Sequence, residues 1–193
     1  MRAAVCLCAL ALGGCALTSK ATPMDVRYFT PETLDSPRPP RRPEPAIARL
    51  RLGHAGSSAN LRYRIVHRES AVELEPYETL RWTENPEDYV RRSLTRALFE
   101  DQPLEQVVGG AAPALEVELV AFEESRRGER HVGRVQIRYQ LHDERSVLAS
   151  GVVTVERDAS SGAIEAVVAA IGAAMEAACA ELAGDVVVRL RAR

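Results

Sequence analysis

Four histidines, one glycine-containing loop with a serine and a single lysine are the residues that could carry acid–base, nucleophilic or phosphate-binding chemistry. Two histidines four residues apart on a helix would suit a zinc ion, but none of the four has a partner at that spacing: His54, His67, His131 and His142. The loop over residues 53–57 lacks the Gly-x-Ser-x-Gly order of a nucleophile elbow. The sequence has no glycine-rich phosphate loop with its lysine, and its single lysine is Lys20. We therefore predict that the chain is not an enzyme and holds no metal or other cofactor.

The sequence around Cys15 specifies a reaction at a named atom. Arg2 provides a positive charge, an uncharged apolar run covers residues 3–12, and Leu12-Gly13-Gly14-Cys15 resembles the lipobox of bacterial lipoproteins. Crossing a hydrocarbon core takes roughly 20 apolar residues in a helix, so this run is typical of a signal peptide. We predict removal of residues 1–14 and lipidation of the Cys15 sulfur. An ordinary signal peptide that contains a cysteine is the alternative, although no better small-x-small cleavage site follows.

The attached lipid would hold the new N-terminus on a membrane, since each buried CH₂ contributes about 0.8 kcal/mol. Ala16, in place of an aspartate after the cysteine, favours the inner leaflet of the outer membrane, with the protein facing the periplasm. We predict that residues 15–45 form the lipid-anchored segment, with a β-prone island at 27–30 and a stiff linker containing five prolines between 37 and 45. The net charge is −2, so we expect no nucleic-acid partner.

Residues 46–193 are long enough for one domain with its own core. Period-2 alternation predicts strands and 3.6-residue periodicity predicts helices. In chain order, the patterns predict strands near 47–52 and 61–66, and a third from 72 that ends at 77 or at 82. A helix from Asn85-Pro86 to about Glu100, strands near 115–119, 134–141 and 149–155, and a helix from Ser160 or Ser161 to Gly184 follow. The last three strands form an antiparallel meander with one buried face. Cys179 lies on the apolar stripe of the last helix and is expected to be a small buried hydrophobe.

Several of these residues together resemble a known family. An aromatic pair, Tyr28-Phe29, follows the lipobox closely, and the order continues through Leu61-Arg62-Tyr63-Arg64, Val72-Glu73-Leu74, Tyr77 and Trp82-Thr83-Glu84-Asn85-Pro86, which leads into a helix. This arrangement is similar to the ABC-type transport auxiliary lipoproteins, the PqiC-like group. The resemblance covers about 27–182 and is best over 61–99.

The resemblance implies a function and a fold. It implies a non-enzymatic periplasmic component of an MCE-type lipid transport system, whose partners are an ABC permease with its ATPase and an MCE-type envelope protein. The implied fold is an α+β two-layer sandwich, with a largely antiparallel sheet and two helices packed on one face. Two other functions stay open: an envelope-assembly lipoprotein that aids lipopolysaccharide or secretin assembly, and a lipoprotein hydrolase with an unrecognised site.

Two features could contact partners. The last helix carries small residues away from its core stripe, notably Ala169, Gly172, Ala173 and Ala180. They are either strong helix formers without further role or a close-approach surface for a homo-oligomer, which would suit docking on a symmetric MCE assembly. Trp82 is expected in the core between the first hairpin and the first helix, with a partner-binding role as the alternative.

Overall fold

The computed structural model describes residues 24–32, 45–57 and 63–192; within β2, the side chains of residues 54 and 55 are not described. Cys15, the linker prolines at 37–43 and the strand residues predicted at 61 and 62 lie outside the described residues. The elements are β1 Arg27–Phe29, β2 Ala48–Ser57, β3 Arg64–Arg68, β4 Leu74–Trp82, α1 Pro86–Phe99, β5 Leu104–Gln106, β6 Ala114–Arg127, β7 Arg130–His142, β8 Val147–Asp158 and α2 Ile164–Arg191.

The eight strands form one sheet built around β6. Along one edge β6 pairs with the whole of β7, which pairs with β8. Along the other edge, β2 pairs with the first half of β6 and β3 with its end. β5 extends the sheet from β2, while β4 and then β1 extend it from β3. The longest pairings are antiparallel, which confirms the predicted α+β class, although β1–β4, β2–β5, β2–β6 and β3–β6 are parallel.

Both helices lie on one face of the sheet and pack on each other. α2 approaches β7 so closely at Gly133 that a Cβ there would overlap the helix backbone at Ala170 and Ile171. α2 is the one helix among the described residues that is long and apolar enough to cross a membrane, but 61% of its apolar window is buried inside the domain. Its hydrophobicity therefore belongs to the core of this sandwich.

The predicted end of α2 at Gly184 is wrong, because the helix continues to Arg191. A mid-helix glycine costs about 1 kcal/mol relative to alanine. Beyond it, Val186, Val187 and Leu190 extend the buried stripe of the helix. Burying each such side chain is worth about 1.5–3 kcal/mol, which outweighs the glycine. The residues after Gly184 therefore belong to the same helix.

α1 begins at the position that the sequence predicts. Asn85 is the N-cap and Pro86 the first helical residue. The Asn85 side chain, however, makes no capping hydrogen bond, and its Oδ1 is buried without a partner among the described residues. Trp82, three residues earlier, is completely buried and packs edge-on against Tyr89 of α1 and Phe122 of β6. Trp82 is therefore a core residue.

Candidate functional site

The N-terminal segment at residues 24–32, which we call the docked segment, is bound to the body of the domain. Its strand β1 pairs in parallel with the end of β4, and Thr83 donates a backbone hydrogen bond to Phe29 at 2.9 Å. Glu32 accepts two hydrogen bonds from the Arg92 guanidinium of α1, at 3.1 and 3.0 Å, which together with Glu84 raise the pKa of Arg92. The folded body therefore begins before the proline linker rather than after it.

Close packing on α2 fixes the same segment from the other side. Arg27 forms an ion pair of 2.6 Å with Glu165 in the first turn of α2. The carbonyl of Pro31 lies against Gly172, where a Cβ would overlap it. Gly172 is buried, so the prediction that it offers a free close-approach surface is wrong: the chain's own N-terminal segment occupies it.

The other small residues of α2 are where the sequence predicts them. Ala169, Ala173 and Ala180 are exposed on the face of α2 that points away from the sheet. Glu176 and Glu181 lie among them, so this face combines small side chains with negative charge. Cys179 is buried on the opposite side, and burial raises the pKa of its thiol to about 12. That thiol is an inert core group, as predicted.

A buried polar cluster lies between the sheet and the start of α2, and sequence reasoning missed it. Glu124 of β6 is completely buried and binds His131 Nδ1. It also accepts hydrogen bonds from the Tyr77 hydroxyl at 2.6 Å and from Arg126 at 3.3 Å. Burial by itself would raise the pKa of Glu124, but the hydrogen bonds from Tyr77 and His131 and the charge of Arg126 hold it below its ordinary value.

The partners of Glu124 are themselves held in place. Burial and the hydrogen bond to Glu124 raise the pKa of Tyr77 to about 12. Arg126 donates to the Tyr77 hydroxyl at 2.7 Å and to Glu69 at 2.6 Å. The other ring nitrogen of His131 faces Gly162, where a Cβ would lie only 2.6 Å away. The cluster therefore joins β4, β6, β7 and the start of α2 through a network of side-chain contacts.

A second carboxylate, Glu123, is buried on the opposite face of the sheet. It accepts a bidentate pair of hydrogen bonds from Arg68 at 2.5 and 3.1 Å, which raise the pKa of Arg68. Two adjacent glutamates on one strand point to opposite faces. A bulge between Leu119 and Ala121 decides which glutamate faces the helices. The adjacent pair in an apolar strand was a visible signal, but the bulge that assigns the faces has no signature in the sequence.

Of the other two histidines whose side chains are described, His67 borders this cluster through Tyr77 and Glu69, whereas His142 lies apart from it. His142 lies 3.5 Å from Glu116 at one strand end, far along β7 from His131, and His67 contacts Glu69 at 3.0 Å. Among the described residues, no group of three or more histidine, cysteine or acidic side chains could hold a metal ion.

The sheet face opposite the helices is open and polar. A wide groove of about 670 Å³ crosses it, with Glu118, Arg138, Ser150 and Val152 in its wall. Two of these residues, Arg138 and Glu118, form an ion pair of 2.6 Å. The adjoining strand β8 has no strand neighbour beyond β7 in the described part of the chain, and its Val147 and Val152 are exposed. An exposed strand edge of this kind can accept a further strand.

Comparison with known proteins gives a family and a fold. A family model described as ABC-type transport auxiliary lipoprotein component matches residues 33–183. A crystal structure of a Xanthomonas campestris protein from the family DUF330 has 22% identity and a TM-score of 0.72, covering 84% of this chain and 96% of its own. A hypothetical protein of Chlamydia trachomatis has 9% identity and a TM-score of 0.54, covering 76% of this chain and 99% of its own. No curated protein matches the sequence.

Proposed function

Because this chain belongs to the family of ABC-type transport auxiliary lipoproteins, we propose that it is the membrane-anchored, non-enzymatic auxiliary component of an MCE-type (phospho)lipid transport system. The family match over residues 33–183 is the observation that carries the proposal. The proposed partners are an ABC permease with its ATPase and an MCE-type protein of the envelope. A domain whose two buried glutamates, Glu123 and Glu124, are paired with arginine and histidine side chains suits docking better than chemistry.

The proposed anchor is a lipid on Cys15 in the inner leaflet of the outer membrane. Only eight residues, 16–23, separate Cys15 from Met24, where the docked segment begins. A fully extended chain gains at most about 3.5 Å per residue, so Met24 can lie no more than about 30 Å from the lipidated residue. The proline linker follows the docked segment and adds nothing to this reach. A domain held this close to one membrane needs a partner that spans the periplasm to it, which is the role proposed for the MCE-type protein.

Lipidation and partner capture test the proposal together. The chain is expressed with its own N-terminus in its native host, and labelled palmitate incorporation is measured for wild type, Cys15→Ser and Cys8→Ser. Cys8→Ser is the matched control, since the same substitution falls in the segment that cleavage removes. We expect label in wild type and Cys8→Ser but none in Cys15→Ser. Equal labelling or equal membrane retention of Cys15→Ser would contradict the anchor.

Partner identity is measured by affinity purification of the wild-type chain from detergent-solubilised envelopes after mild crosslinking. We expect an ABC permease, its ATPase and an MCE-type protein to copurify, and Cys15→Ser to recover less of each. Recovery of lipopolysaccharide-transport or secretin components in their place would overturn lipid transport in favour of an envelope-assembly function.

We further propose that the chain forms a homo-oligomer through the exposed face of α2, at Ala169, Ala173 and Ala180. This face carries Glu176 and Glu181, so two copies of it in direct contact would bring like charges together. A ring avoids that cost because its interface is heterologous and brings the face against a different surface of the next copy.

Sedimentation of the mature chain carrying Cys15→Ser, at micromolar concentration, tests self-association. Ala173→Arg should shift the protein toward monomer, because it places a long charged side chain in the proposed contact. Ala111→Arg makes the same substitution at an exposed loop and should leave the sedimentation unchanged. A wild-type protein that is monomeric at every concentration would end this part of the proposal.

A further inference from the structure

Arginines surround a small recess at the end of the sheet where β6 turns into β7. The recess has a volume of about 250 Å³ and lies among the β3–β4 turn, the end of β6 and the middle of β7. Its polar lining residues are Arg68, Ser70, Ser125, Arg126, Arg127 and Arg134, and none of the lining residues is acidic. All of these side chains can donate hydrogen bonds, so the recess matches an anion.

The carboxylates nearest to Arg134 are engaged by other arginines. Arg134 on β7 is paired across the sheet with Glu123 of β6 on one side and Glu156 of β8 on the other. Glu123 holds Arg68 in a bidentate pair, and Glu156 holds Arg127 at 2.7 Å. Three arginines therefore share two carboxylates on this part of the outer face, which leaves one positive charge in excess.

Arg134 carries that excess. Its Nε is buried and has no hydrogen-bond partner among the described residues. Burying a donor without a partner costs free energy, and the cost is larger for a charged group. Because Arg134 also lines the recess, an anion with several acceptor oxygens bound there can accept hydrogen bonds from its guanidinium group.

We propose that this recess, the arginine recess, binds a phosphate group. A phosphate presents more acceptor oxygens than a carboxylate does, which suits a site with several guanidinium groups and two serines. Pockets that enclose drug-sized ligands have volumes of about 300–1,000 Å³, so this recess admits a phosphate with a small headgroup but no acyl chains. The phosphate can be free or belong to a lipid headgroup; only the second source rests on the proposed transport function.

Calorimetric titration of the full-length chain, purified in neutral detergent at physiological salt, tests the proposal. The probes are inorganic phosphate and glycerophosphoglycerol, the deacylated headgroup of phosphatidylglycerol. Arg134→Gln should weaken binding of the phosphate group about tenfold or more, as expected for the loss of charged hydrogen bonds. Arg138→Gln is the matched control: it removes the same charge from the same face of β7, about 13 Å along the strand and beyond the screening length of about 8 Å.

A third variant is expected to strengthen binding instead of weakening it. Glu156→Gln frees Arg127 and removes a negative charge beside the recess, so it should tighten binding several-fold. Tighter binding of glycerophosphoglycerol than of inorganic phosphate would assign the site to a lipid headgroup, and the opposite order to free phosphate. Absence of binding heat with both probes, or equal losses in Arg134→Gln and Arg138→Gln, would overturn the proposal. Since the titration contains no transporter, its failure leaves the partner-capture result untouched.

Discussion

Replacing Gly172 by alanine is expected to release the docked segment from α2 while the rest of the domain stays folded. An alanine Cβ at this position would overlap the Pro31 carbonyl oxygen. Restoring van der Waals separation requires that carbonyl to retreat by about 1 Å. Pro31 cannot retreat alone, because β1 immediately before it is paired with β4 and Glu32 immediately after it is held by Arg92. The segment must therefore leave as a unit.

Two opposing contributions set the size of the effect on global stability. Alanine is favoured over glycine within a helix by about 1 kcal/mol. Release of the docked segment loses its backbone hydrogen bonds, at about 1 kcal/mol net for each. It also loses two partly exposed ion pairs, Arg27–Glu165 and Arg92–Glu32, each worth about 1 kcal/mol or less. The losses together exceed the gain, so the melting temperature should fall.

Local protection is the decisive measurement. Amide hydrogen exchange at residues 27–29 and at Thr83, whose N–H donates to Phe29, should become at least about tenfold faster in Gly172→Ala. Gly184→Ala is the matched control, because it lies on the same helix with nothing within 4 Å of its Cβ position. That variant should gain stability without any change in exchange near β1. Wild-type protection at Thr83 in Gly172→Ala would refute the docking of this segment on α2.

Three further predictions concern the buried groups of the domain. Trp82→Ala should lower the free energy of unfolding by about 3–5 kcal/mol in denaturant titration, because it removes a fully buried side chain packed on Tyr89 and Phe122; a wild-type midpoint with lost partner binding would contradict a core role. Glu124→Gln should cost about 1–3 kcal/mol at neutral pH, since a buried charged acceptor is lost. The folded pKa of Glu124 is lowered, so the stability it contributes is present above its ordinary pKa of 4.5 and is lost as the pH falls through the folded value; the gap between wild type and Glu124→Gln should therefore close in acid, and a gap that widens there would contradict the assignment. Cys179 should react with a thiol reagent at pH 8 only after unfolding, because burial raises its pKa to about 12; rapid modification of the native protein would show that the thiol is accessible.

Local patterns in the sequence were sufficient for most of the fold. Alternation over 134–141 and helical periodicity over 86–99 depend on neighbouring residues only, and the structure confirms both as β7 and α1. The placement of Trp82 in the core followed from its size and its position between two apolar elements, and the structure confirms that too. The exposure of Ala169, Ala173 and Ala180 followed from the same helical period.

The predictions that failed depended on contacts between residues far apart in the chain. Gly184 was predicted to end the helix because a glycine weakens a helix locally. The helix continues because Val186, Val187 and Leu190 are buried in the core. Gly172 was predicted to offer a free surface because the residue that covers it, Pro31, lies 141 positions away, in the part of the chain predicted to be the lipid-anchored segment.

The sequence by itself determined the lipobox motif at Cys15 and the apolar stripes that build the core, because each is encoded within one short stretch of chain. The tertiary structure decided which glutamate of Glu123-Glu124 faces the helices, through a bulge in β6. It also decided that Arg134 keeps an unpartnered buried donor, since its two cross-strand carboxylates are taken by Arg68 and Arg127. Competition among charges from four strands depends on distances in space, and spacing along the chain carries no record of those distances.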